Sequence, residues 1–127
     1  MDRIDLHIEV PGVRHEELMG EDCGERSATV RSRVMKARRI QLERFKGEGS
    51  YTNARMNPAI TKRYCTAGTQ AQRPLEQAMA RLSLSARAYH RILRVARTIS
   101  DLEDCTQIES HHMAEAIQYK SLDRGLA

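Results

Sequence analysis

Apolar positions in the last third of the chain recur at helical spacing. Ala88, Ile92, Val95, Ala96, Ile99 and Leu102 fall on one stripe of a helix spanning 85–102, and Ser85 is a natural N-cap for it. Arg87, Arg91 and Arg94 recur at i, i+4 and i+7 and form a row along the flank of that stripe. Further helices are predicted over 28–46, 58–65, 70–82 and 110–122. In the first, Ser27 is the expected cap, with Val30, Val34, Ala37 and Phe45 facing inward and Gly47 and Gly49 ending the run. Asn57 followed by Pro58 is an N-cap with proline at the first helical position, which starts the second. Gly68 breaks the chain before the third, whose inward positions are Leu75, Ala78, Met79 and Leu82. Met113, Ala114, Ala116 and Ile117 form the inner face of the last.

The N-terminus follows a different period. Ile4, Leu6, Ile8 and Val10 alternate with Asp5, His7 and Glu9, as in a half-buried strand that Pro11 and Gly12 stop. A lone strand has no partner to complete its hydrogen bonds, and residues 13–26 are acidic and non-periodic. The expected architecture is therefore all-α: a compact bundle of about five helices over 26–127, preceded by a short extended stub and acidic linker over 1–25. Composition agrees. Of 127 residues, 40% are hydrophobic and only 4% aromatic, with no Trp and one Phe, a core of Leu, Ile, Val, Ala and Met that suits helices.

Charge is unevenly spread within a formal net +4. Residues 1–25 carry two arginines against eight carboxylates. From Arg26 to Lys46 there are eight basic residues and one acid, Glu43. Such a stretch favours a polyanion, either nucleic acid or nucleotide phosphates, or an acidic surface on a neighbouring domain. Cys23, Cys65 and Cys105 are too far apart for a C-x-x-C pair, which fits a reduced, cytoplasmic protein. No apolar run reaches membrane-spanning length.

Chemical motifs are sparse. None of the seven glycines lies in a G-x-x-x-x-G-K-[ST] loop, and no apolar strand ends in paired acids. These residues alone are not expected to hold and hydrolyse a nucleotide, and no cofactor is expected in the chain by itself. His111 and His112 are adjacent and point about 100° apart on a helix; no Cys or carboxylate is recognisable as completing a ligand set, so no metal site is expected. A row of arginines is ordinarily a solvated face. Arg87 is distinguished by its place in the first turn, where the helix N-terminus already favours anions.

The segments MDRIDLHIEV, QLERFKG, NARM, LSARAYHRILRVARTISDLE and AEAIQYKSLDR, in that order, resemble the C-terminal part of the bacterial magnesium-chelatase-like AAA+ ATPases of the YifB/ComM type. The resemblance covers nearly the whole chain and is weakest over 13–25 and 66–74. It implies that the chain opens near the end of a nucleotide-binding domain and continues as the helical lid. It further implies that Arg87 is the sensor 2 arginine that reaches the γ-phosphate of ATP, with Arg91 the next candidate. Arg94 and Arg97 are then packing or surface residues. Arg3, in the run Asp2-Arg3-Ile4-Asp5, resembles an arginine finger acting on the ATP of an adjacent subunit. Met1 departs from the family, which has Leu there. ATP and magnesium are implied for a longer parent protein. The implied partners are the nucleotide-binding domain of the same polypeptide, neighbouring subunits of a hexameric ring, and DNA, in a motor for branch migration or DNA uptake. The competing expectations are an ATP-independent basic helical DNA-binding module and a purely structural oligomerisation domain.

Overall fold

The computed structural model describes residues 6–8, 25–47 and 52–125, with side chains as far as Lys120. Within them are five α-helices and one 3-10 turn: α1 (Ser27–Arg44), the turn (Asn53–Arg55), α2 (Pro58–Tyr64), α3 (Thr69–Leu82), α4 (Ala86–Leu102) and α5 (Ser110–Gly125). The expected all-α bundle is what forms. Among the described residues the sole β feature is an isolated parallel bridge between Ala67 and Ile108.

α4 is the hub: α1, the 3-10 turn, α2 and α5 all pack on it, and α3 packs on α5. Alanines let the axes approach closely. Ala71 and Ala78 on α3, Ala88 and Ala96 on α4 and Ala116 on α5 are all buried, and larger side chains fill the gaps they leave. Phe45, Met56, Leu75, Ile92, Leu93, Ile108 and Met113 form one continuous cluster with Ala78, Ala88, Ala96 and Ala116, the close packing that makes a core sensitive to single methylenes. Phe45 meets Tyr64 edge to face at 5.8 Å between centroids, a favoured aromatic geometry.

Local signals set the boundaries. Ile60 N–H donates to Asn57 Oδ1 at 2.8 Å, so Asn57 caps α2 as expected, with Pro58 next. Ser83 (φ 51°) and Asp104 (φ 59°) take the left-handed conformation after α3 and α4. After each, the chain folds back on the helix end: Leu84 N–H donates to the Met79 carbonyl at 3.4 Å and Cys105 N–H to that of Ser100 at 2.8 Å. This is the six-to-one bond of a Schellman ending, and Leu84 packs in the core cluster beside Met79.

Four expectations are corrected. Arg26, not Ser27, is the N-cap of α1, and it gives no side-chain hydrogen bond; the helix ends at Arg44, short of Lys46. Val30 and Val34 do not face a core: they are 39% and 44% exposed, because α1 runs past the edge of the bundle and only Ala37, Gln41 and Phe45 of its stripe are covered. Ala114 is exposed, one position off the buried Met113–Ala116 line. Residues 6–8 form no strand ladder, and Leu6 and Ile8 are exposed; their one backbone tie is His7 N–H to the Tyr119 carbonyl at 3.2 Å. The remainder of the proposed stub and linker lies outside the described residues.

Candidate functional site

The row of arginines on α4 divides by environment. Ser85 caps the helix, accepting from Ala88 N–H at 3.2 Å, so the first turn is held where the sequence puts it. No acidic residue occupies that turn. Arg87 stands there, exposed, with no hydrogen bond or ion pair to any described residue. Arg91, one turn on, is half-buried. Arg94 is committed to the backbone: its Nη1 donates to the carbonyls of Ala54 and Met56, each at 3.1 Å. Tyr89 and His90 turn to another flank of α4, where they line a cleft of about 610 Å³ with Lys62 and Gln72. The guanidinium left for an outside anion at this helix end is that of Arg87, reinforced by the unpaired N–H groups of the first turn.

Deeper in the bundle lies a buried charge network that sequence reading missed. Asp101, 1% exposed, takes Arg44 in a two-pronged pairing, Nη1 to Oδ2 at 2.9 Å and Nη2 to Oδ1 at 2.6 Å. Asn53 Nδ2 donates to the same Oδ2 at 2.9 Å, and Asn53 Oδ1 accepts from Arg44 Nη1 at 2.9 Å. Arg97, 3% exposed, lies with Nε 3.3 Å from Asp101 Oδ1 and spends its remaining donors on the carbonyls of Cys105 (2.7 Å) and Thr106 (3.0 Å). Burial pushes the Arg97 pKa down, opposed by Asp101. The network fixes the end of α1, the 3-10 turn and the exit loop of α4 to one carboxylate. The sequence signal for it is only that Arg44, Asn53 and Asp101 fall within three segments of the one resemblance, QLERFKG, NARM and LSARAYHRILRVARTISDLE.

The histidine pair requires a correction. The turn after α4 brings carboxylates to it: Glu103 Oε2 lies 3.2 Å from His111 Nε2 and 2.6 Å from His112 Nε2, and Glu109 Oε2 lies 3.5 Å from His111 Nδ1. Glu103, His111 and His112 thus offer donor atoms within 4.8 Å of one another. Glu109 N–H, however, donates to His112 Nδ1 at 2.9 Å, so the neutral His112 ring carries its proton on Nε2, toward Glu103. His112 is the third residue of α5, and its reach back to the N-cap N–H is a capping box with histidine in the acceptor role. A cation on Nε2 would force that proton onto Nδ1, against the Glu109 donor. The cluster works as a helix cap.

Cys65 is buried close to the Asp101 network, and burial pushes its thiol up to about 11, with Arg97 and Arg44 opposing. Arg3 lies outside the described residues. Among the described residues no helix is long and apolar enough to cross a membrane.

Residues 24–120 match the family described as magnesium chelatase, subunit ChlI C-terminal. The chain is 44% identical over 125 residues to the competence protein ComM of Haemophilus influenzae, covering 98% of this chain and 24% of that protein. It is 38% identical over 128 residues to YifB of Salmonella typhimurium and 35% identical over 128 residues to YifB of Escherichia coli, with the same coverage of 98% and 24%. The chain therefore spans about a quarter of the length of these curated relatives.

Proposed function

Because this chain belongs to the magnesium chelatase subunit ChlI C-terminal family, and matches ComM and YifB over almost its full length, we propose that it serves as the helical lid of a AAA+ ATPase. In this reading Arg87 is the sensor of the γ-phosphate. The observation that carries it is the exposure of Arg87 at a capped helix N-terminus, without a partner among the described residues. An arginine buried in the bundle or tied to backbone, as Arg97 and Arg94 are, could not leave its place for a ligand.

Bound Mg-ATP would supply the phosphoryl group and its charge. The part assigned to this chain is electrostatic: Arg87 offers a planar, permanently charged donor where negative charge accumulates on the phosphoryl oxygens. Arg91 supports it from the next turn. The Asp101 network keeps α4, α1 and the 3-10 turn moving as one rigid body, so an event at Arg87 is passed on as a domain rotation. Arg3 is assigned the finger role toward a neighbouring subunit. A hexameric ring, a cytoplasmic setting and a DNA-processing motor for branch migration or uptake belong to the same proposal. The name of the Haemophilus relative, a competence protein, supports the DNA assignment.

The test is nucleotide selectivity in a chimera in which this chain replaces the matching quarter of the Haemophilus relative. A γ-phosphate sensor makes ATP bind more tightly than ADP, and Arg87→Ala should bring the ratio of the two dissociation constants toward one. An unchanged ratio would refute the assignment.

A further inference from the structure

We propose that the overhanging first half of α1 is a docking ledge for an acidic protein surface contributed by the polypeptide this domain accompanies in its longer relatives. Val30 and Val34 continue the stripe of Ala37, Gln41 and Phe45 along α1, yet they are 39% and 44% exposed where the latter three are covered. Helical spacing places them between two rails of cations: Arg26 and Arg33 on one side, Arg31 and Arg38 on the other. The helix end adds its own positive pole, since its N-cap provides no side-chain hydrogen bond and its first turn has no acid. The rim already accepts a carboxylate, because Arg33 pairs with Glu25.

Charge and shape together select the occupant. A second copy of the ledge would bring like charges together. A nucleic-acid backbone would satisfy the arginines and leave the valines in water, since phosphate contacts carry no need for apolar cover. An acidic protein surface with an apolar strip satisfies both. Two valines form too small a patch for a free-standing complex. A partner held on the same polypeptide, or in the same ring, reaches it through high effective concentration. The inference rests on the domain working inside a longer protein, as proposed above, but not on any role of Arg87.

Hydrogen exchange tests it. Amides of 27–36 are to be compared in the 127-residue chain alone, in the chimera with the Haemophilus relative, and in the chain with a short DNA duplex added. The expected result is slowing of about tenfold or more in the chimera only. Val30→Asp with Val34→Asp, both at exposed sites, should return exchange in the chimera to the rate of the chain alone, while Arg87→Ala should leave the slowing intact. Equal exchange in all forms would overturn the proposal, as would protection that appears with DNA and not in the chimera.

Discussion

Arg44 and Asp101, 57 residues apart in sequence, meet in a two-pronged ion pair of 2.9 and 2.6 Å inside the bundle. With Arg97 at 3.3 Å and Asn53 at 2.9 Å from the same carboxylate, one buried acid balances two guanidiniums, that of Arg97 buried and that of Arg44 largely so. Such an arrangement contributes little against a well-packed apolar substitute, but removing one member strands the others in a dry site.

Asp101→Asn should therefore destabilise the domain by about 3–5 kcal/mol. Chemical denaturation followed by circular dichroism measures this directly. A loss below 1 kcal/mol would mean that water reaches the guanidiniums and that the network does not bind α1 to α4.

Ser83 takes a left-handed conformation at the end of α3, where a Cβ is disfavoured. Ser83→Gly should stabilise the domain by about 1 kcal/mol, visible as a raised melting temperature. Destabilisation would show that the Schellman ending is misassigned.

The two side-chain caps offer a matched pair. Asn57→Ala and Ser85→Ala each remove an acceptor for a helix N–H and should each cost about 1 kcal/mol. Only Ser85→Ala should also disturb nucleotide selectivity in the chimera, because it frays the turn that carries Arg87. If both variants shifted selectivity equally, the effect would be one of stability alone.

Burial raises the Cys65 thiol from 9.0 to about 11 in the folded chain. Between these values the unfolded chain releases its proton and the folded chain retains it, so stability is full below pH 9 and falls as pH rises toward 11. The loss should approach about 2 kcal/mol. Cys65→Ala should remove that part of the alkaline slope, which separates it from lysine and tyrosine titration. Identical slopes for the two proteins would contradict the buried-thiol assignment.

Much of the fold is local chemistry and was readable as such. The Asn57-Pro58 start, the Ser85 cap and the apolar stripe of α4 depend on residues within a few positions of one another. What escaped depends on where other elements end. The stripe of α1 keeps its period through Val30 and Val34, and nothing in that period says that the bundle stops beneath Ala37. Asp101 and Arg97 sit on the wheel as an ordinary i, i+4 charged pair, yet Asp101 is covered by Arg44 and Asn53 far upstream and Arg97 by the carbonyls of Cys105 and Thr106. Glu103 reaches the histidines through a turn at Asp104 whose left-handed backbone no spacing rule foretells. The place of Arg87 in the first turn of α4 follows from the cap, whereas its sensor role comes from the family resemblance and not from spacing. That Arg87 has no partner among the described residues, while Arg94 and Arg97 are tied to backbone carbonyls, is visible only in the structure.

The most direct measurement is steady-state ATP turnover by the chimera carrying Arg87→Ala, beside Arg87→Lys and the unaltered chain, with folding checked by circular dichroism. Turnover should fall about a hundredfold for alanine, with partial recovery for lysine and an unchanged fold. Turnover within twofold of the unaltered chimera would contradict it.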